Sequence, residues 1–416
     1  MKLGLVFFVA IVACVVTTPL YAQTSKPPKP KKLKEVVAEP EAPQDLKTVE
    51  PADVASAIQR GRALLIGCQE SMAGASKPKS EWPYEGVVRV EGNIPIGYRI
   101  GGTAICAMAL IDTAQEGKLD GDAKVAVDRA LTFVLEALEH PLMTTDFVKG
   151  YDTRGWGHAY ALAFLLKMHG QKTGEKQDKV EAKIEELIGV LEKTQLGGRG
   201  GWNYSRSSGD KSAPATFMTA PTLQFLFEAQ RLGFAVDAEM VERALVSLED
   251  ARLETGAFQY GTNPERQSGK GFEDVPGATG RSPVCETTLF LAGRGSVERV
   301  QKSLDAFFEH WRWLEQRRRQ TGTHVEPYMI APYYFFYAHR FAAQAIEFLP
   351  EERRAEYRGK LYSLLWHVRE KSGGWNDRMF PRSENFGTAM TLFALHEPQA
   401  TPPASWISVS TEKGSK

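Results

Sequence analysis

Charge of neither sign dominates this chain. Lys plus Arg number 51 and Asp plus Glu number 51, so no global field draws it to nucleic acid or to an anionic membrane. Cysteine is scarce, with four in 416 residues. Cys14 falls in an apolar leader. The odd set that remains, Cys68, Cys106 and Cys285, allows at most one internal disulfide in an exported protein. Each lies in an apolar helical context, which reads as a buried, inert thiol. In the run IGCQESM, Ser71 stands where an internal thioester needs Gln. No HExxH, paired CxxC or phosphate-cradling glycine loop occurs, so no metal or other cofactor is expected. The leader's own apolar run falls short of the ~20 residues a membrane span needs, and no later segment approaches that length.

What is present begins with that leader. Lys2 supplies a positive start, residues 3–16 are apolar, and Leu20-Tyr21-Ala22 offers a small residue before a cut at Gln23. Residues 1–22 therefore read as a signal peptide, and the mature protein as periplasmic or extracellular, not transmembrane after cleavage. Ile11-Val12-Ala13-Cys14 resembles a lipoprotein box, which makes lipid anchoring at Cys14 the alternative. Residues 23–48 are rich in Pro, Lys and Glu and read as a flexible linker. Residues 398–416 read as a loose tail, leaving residues 49–397 as the folded domain.

Within that domain two kinds of helical segment alternate. One kind is long, charged and amphipathic. At 296–320, Val297, Val300, Leu304, Phe307, Phe308, Trp311 and Leu314 share a stripe, and at 174–195 Val180, Ile184, Leu187, Ile188 and Leu191 do the same. The other kind is short and apolar on every face, as in GTAICAMALID at 102–112 and GTAMTLFAL at 387–395. A helix apolar all round is buried all round. Six amphipathic–apolar pairs predict an all-α fold of six helical hairpins, with amphipathic helices outside an inner ring. Joins into the apolar segments are long and those out of them short. All long joins should then lie at one rim, together with the amino ends of the inner helices, whose dipoles favour anionic or oxygen-rich ligands.

The long joins carry Gly and aromatic residues. Gln195 precedes Gly200-Gly201-Trp202, Gly373-Gly374-Trp375 and Gly256-Ala257-Phe258 are weaker copies, and Trp82 and Trp156 mark two more. This pattern resembles the QW repeats of the terpenoid cyclase and protein prenyltransferase superfamily, and the whole is similar to secreted bacterial prenyltransferase/squalene oxidase repeat proteins. The resemblance covers about residues 49–396 and implies an α/α toroid. The superfamily's catalytic residues do not carry over. Asp120-Gly121-Asp122 lacks the rest of a DxDD acid, and Pro283 stands where a zinc-binding Asp-x-Cys would need Asp before Cys285.

Candidate ligand-binding residues are the polar groups near the inner amino ends, because burying them needs a reason. Asp152, Arg154 and His158 form one group that could clamp an anion or move a proton. Their structural alternative is a hydrogen-bonded rim. Arg281 and Glu286 bracket another inner start; burial would raise the Glu286 pKa, and a buried Arg281–Glu286 pair is the structural alternative. His324, Glu326, Tyr328, Tyr333 and Tyr334 are the densest stretch, suited to elimination from an acidic sugar or to holding a sugar or lipid face; aromatic packing of the inner ring is their structural alternative. His339 reads as a satisfied core histidine.

The first functional expectation is a protein that binds an unidentified glycan, lipid or protein partner at the inner-helix amino-terminal rim. A polysaccharide lyase or glycoside hydrolase, or a divergent isoprenoid cyclase, is the alternative. A dry aromatic cavity would point to lipid and a wet, carboxylate-lined groove to sugar. For the leader, amino-terminal sequencing of the secreted protein should find Gln23 first; a lipid-modified Cys14 would replace simple cleavage by anchoring.

Overall fold

Two apolar patterns become two radial positions. The structure is a computed structural model that describes residues 38–71, 79–114, 117–119, 121–145, 153–196, 200–204, 213–261 and 271–408. The expected signal peptide lies outside these residues, and everything below belongs to the unit that begins at Glu39. Among the described residues there are α-helices, short 3-10 turns and isolated bridges, but no strand. The outer helices are α1 (Pro51–Cys68), α3 (Gly121–Leu138), α5 (Glu175–Thr194), α7 (Ala238–Asp250), α10 (Val297–Arg317) and α12 (Glu351–His367). The inner helices are α2 (Ile96–Asp112), α4 (Arg154–Met168), α6 (Thr216–Arg231), α9 (Ser282–Leu291), α11 (Tyr334–Ile346) and α13 (Ser383–His396). A single turn, α8 (Val275–Ala278), sits in the join before α9.

Burial follows the sequence pattern. Helix α5 buries Val180, Ile184, Leu187, Ile188 and Leu191 and nothing else, and each such side chain contributes about 1.5–3 kcal/mol. Helix α2 buries every residue from Ile100 to Leu110. Each inner helix packs on the next, α2 on α4, then α6, α9, α11 and α13, and α13 returns to α2. The ring is therefore closed. The outer-to-inner joins span 69–95, 139–153, 195–215, 251–281, 318–333 and 368–382, against the short 169–174, 232–237, 292–296 and 347–350 on the return.

Three joins carry the same pin. The indole N–H of Trp82 donates to the Leu65 carbonyl at 2.7 Å, that of Trp202 to Leu191 at 2.8 Å and that of Trp375 to Leu365 at 2.8 Å. Each acceptor lies in the outer helix before the join. The backbone N–H of the same tryptophan donates to a threonine hydroxyl of the inner helix after it: Thr103 at 2.9 Å, Thr219 at 3.0 Å and Thr388 at 3.1 Å. Gly102 and Gly387 precede two of these threonines because a Cβ there would lie 2.4 Å from the Trp82 or Trp375 carbonyl oxygen. Joins also tie to the next outer helix round the ring. Gln69 donates to Ala126 of α3 at 2.9 Å, Gln195 to Met240 of α7 at 2.8 Å, and Arg60 of α1 to the Ser372 carbonyl at 2.9 Å, which links the last join to the first helix.

Several expectations change. Trp156 is not a pin; it lies inside α4 and faces the ring's interior. Helix α6 runs through Pro221. Proline has no N–H, so the Phe217 carbonyl four residues earlier is released, and the Tyr337 hydroxyl of α11 donates to it at 2.6 Å. The segment expected to be a loose tail is docked as far as Ile407: the Trp406 N–H donates to the Leu291 carbonyl at 3.0 Å, and the Gln230 amide bonds both the N–H and the carbonyl of Ile407. The end of the expected linker also packs, with Ala42, Pro43 and Leu46 lining a groove against α10 and α12. Cys106 and Cys285 are buried free thiols, as expected, but the free thiol of Cys68, at the end of α1, is exposed.

Thr219→Val or Thr388→Val keeps shape but leaves a buried tryptophan N–H unpaired. Each should lower the unfolding free energy by about 1–3 kcal/mol, read as the urea midpoint. The two should add, because they lie in separate hairpins.

Candidate functional site

At the rim where the inner helices begin, the joins and first turns close on an aromatic cavity. Its wall is Tyr84 and Tyr204 from joins, Tyr98 of α2, Trp156 and Tyr160 of α4, Phe217 and Met218 of α6, Tyr333 and Tyr337 at α11, and Phe386 of α13. About 50 Å3 of it is wide enough to admit water. The rings meet edge to face or tilted, as with Tyr98 and Trp156 at 5.5 Å between centroids and Tyr84 and Phe386 at 4.5 Å, the geometry ring quadrupoles favour.

Behind Tyr84 lie a buried acid and a buried guanidinium that sequence reasoning missed. The Tyr84 hydroxyl donates to Asp377 Oδ2 at 3.0 Å and accepts from Arg378 Nε at 3.1 Å. Arg378 also donates to the Gly322 carbonyl at 3.1 Å and lies over the Tyr333 ring, 5.4 Å from its centroid. Asp377 is wholly buried, and among the described residues its Oδ1 has no hydrogen-bond partner. Burial pushes its carboxyl up to about 7, against the opposing pull of Arg378 and Tyr84. A signal for this pair existed in the repeats. The residue two places after each join aromatic, Tyr84, Tyr204, Tyr260 or Asp377, reaches the same aromatic cluster.

The residues singled out from sequence divide. His324, Tyr333 and Tyr334 come together with Tyr260 and Phe272. His324 Nδ1 bonds the Met329 carbonyl at 2.6 Å, so Nδ1 carries the proton and Nε2 accepts from the Tyr333 hydroxyl at 2.9 Å. Burial, assisted by the charges of Arg281, Arg378 and Arg317, lowers its pKa to about 4, so this histidine is neutral at pH 7. Glu326 is exposed and Tyr328 packs on Trp313 of α10 at 4.8 Å, so neither joins the cavity.

Arg281 and Glu286 are not a pair, which corrects that expectation. Arg281 is 1% exposed and donates to the backbone carbonyls of Phe258, Gly277 and Phe272. Glu286 instead accepts both arms of the Arg252 guanidinium, at 2.8 and 2.7 Å. Burial does raise its pKa, but the pair ties α9 to the join after α7. Arg154 donates to the Thr144 carbonyl at 2.8 Å and His158 Nε2 bonds the Met143 carbonyl at 3.0 Å, which is the hydrogen-bonded rim that was their structural alternative. Asp152 lies outside the described residues. His339 is the satisfied core histidine expected, accepting the Trp311 indole N–H at 2.8 Å. Among the described residues no group of three or more His, Cys, Asp or Glu could hold a metal ion, and no helix is long and apolar enough to cross a membrane.

No family model and no curated protein matches this chain. Solved structures do. An inactive variant of an α-1,6-mannanase of Salegentibacter sp. HEL1_6, in complex with α-1,6-mannotriose, is 10% identical with a TM-score of 0.52, covering 83% of this chain and 99% of that one. A D-mannose isomerase is 10% identical with a TM-score of 0.52, covering 84% and 98%. A type II terpene cyclase from Scytonema is 13% identical with a TM-score of 0.48, covering 84% and 98%. At these identities the first two likenesses speak for the fold alone. That fold is the α/α toroid, as the repeats implied.

The raised Asp377 pKa has a sign. Its stabilising proton is fully bound below the unfolded value of about 4 and is lost as pH rises through about 7. Stability of the wild type should therefore fall between pH 5 and pH 8 by up to a few kcal/mol. Asp377→Asn should flatten that slope, as measured by urea unfolding at both pH values.

Proposed function

We propose that the protein binds a small apolar ligand, or the apolar end of a lipid, at the amino-terminal rim of its inner helices. The observation that carries this reading is the cavity wall: among the described residues it is aromatic rings and one methionine, with no carboxylate. Desolvating an apolar body against such a wall is favourable at about 25 cal/mol per Å2 buried. Hydrolysis of a glycosidic bond instead needs two carboxyl groups about 5–10 Å apart across the substrate, and this wall supplies neither. The glycan-acting alternative therefore rests on fold likeness to the mannanase alone. With residues 1–22 read as an export signal, the ligand is met in the periplasm or outside the cell.

One observation favours a second reading. Asp377 is a buried carboxyl whose Oδ1 has no partner among the described residues and which, raised to about 7, is about half protonated at pH 7. It lies one hydrogen bond behind Tyr84 of the cavity wall. An acid so placed suits proton transfer to an apolar substrate, the divergent cyclase of the sequence alternatives. Conversion of a polyprenyl compound to an isomer of equal mass, lost in Asp377→Asn, would replace binding by catalysis.

The test of binding is thermal. At ten times its Kd, toluene or a short isoprenoid hydrocarbon should add about 1.4 kcal/mol of stability, read as a rise in Tm. Met218→Trp fills the cavity and should abolish the rise. An equal rise in that variant would place binding elsewhere.

A further inference from the structure

Six phenols line the cavity, and five are committed. Tyr84 is held between Asp377 and Arg378. Tyr337 donates to the Phe217 carbonyl at 2.6 Å and Tyr333 to His324 at 2.9 Å. Neither Tyr98 nor Tyr204 is without a partner.

Tyr160 differs. It is only 4% exposed and lies one helical turn deeper along α4 than Trp156. Its ring packs on Trp156 at 5.1 Å and Phe225 at 5.5 Å. Among the described residues no group hydrogen-bonds its hydroxyl, although the side chain faces the cavity. The hydroxyl opens onto a cavity wide enough for water, so a ligand bearing the matching group takes the place of water there and gains the net value of one hydrogen bond, about 0.5–1.5 kcal/mol. On that ground, and resting on the binding reading above, we infer that the Tyr160 hydroxyl is the polar anchor of the cavity. The favoured ligand is a small apolar ring or chain end that leads with one neutral hydroxyl or carbonyl.

Two observations select a neutral group over an ionised one. Among the described residues no cationic side chain lines the cavity, and Arg340, whose charge acts on Tyr160, is already paired with the buried Glu397. An anion entering here would lose its water with no fixed counter-charge in the wall. A cation would face the buried guanidinium groups of Arg378 and Arg281 near the rim. Burial raises the pKa of Tyr160 itself, so it remains a neutral donor and acceptor at pH 7. The accessible volume of about 50 Å3 exceeds the ~10–15 Å3 one water needs but is about a third of the ~150 Å3 that holds a benzene ring, so a chain end or the leading edge of a ring enters it.

Toluene and 4-methylphenol differ by one hydroxyl and provide the test, with Kd read by ligand-observed NMR on the purified chain at pH 6. Wild type should bind 4-methylphenol about fivefold more tightly than toluene, as one net hydrogen bond implies. Tyr160→Phe should erase or invert that preference while toluene binds it no more weakly. If wild type binds toluene but does not prefer the phenol, or if Tyr160→Phe keeps the preference, the assignment of Tyr160 is overturned and the binding reading stands. If neither compound binds wild type, or if both bind Met218→Trp unchanged, the binding reading fails and the anchor fails with it.

Discussion

Each inner helix of this toroid has no face it can show to water, so everything depends on holding a covering layer in place around it. The tryptophan pins do this at three joins. One indole spans the gap, donating from its ring to the end of an outer helix and from its backbone to a threonine on the following inner helix. These bonds lie in buried surroundings, where the donors have no water to turn to. The pin therefore sets the separation of the two layers as well as their order. The glycines before Thr103 and Thr388 are part of the same device, since any side chain there would push the tryptophan carbonyl away.

Closure of the ring is a second use of the joins. The first and last are stitched together by Arg382 with Glu70, by Ser383 donating to the Glu85 carbonyl at 2.7 Å, and by Tyr84 with Asp377. Rim loops elsewhere are held by arginines that donate to backbone carbonyls, as the buried Arg281 and the half-buried Arg317 do. Carbonyls satisfy the donors but do not cancel the charge. The rim thus gathers positive potential, which helps keep His324 neutral. Asp377 is a buried acid among these groups, and even there desolvation outweighs the neighbouring cations. The aromatic cavity sits inside this charged collar and takes none of it into its wall.

Much of the fold was legible because helix burial is periodic and local. The stripe at Val180, Ile184, Leu187, Ile188 and Leu191 needs only a 3.6-residue repeat to be read, and all five are buried. The all-apolar segments announced the inner ring in the same way. The site was legible in part. His324, Tyr333 and Tyr334 stood out by density and do meet, but Glu326 and Tyr328, drawn from the same stretch, turn away. Trp156 looked like another repeat aromatic by its place in the pattern, but it lies within α4 and lines the cavity.

By itself the sequence determined the number of helical pairs, which of each pair is buried, and that the long joins share one rim. Each of these follows from side-chain polarity along a single helix. Tertiary structure alone decided which polar groups meet. Tyr84 and Asp377 come together only because the ring closes, bringing the first join against the last. Glu286 takes Arg252 over the nearer Arg281, since distance along the chain says nothing about which guanidinium a closed ring places within reach.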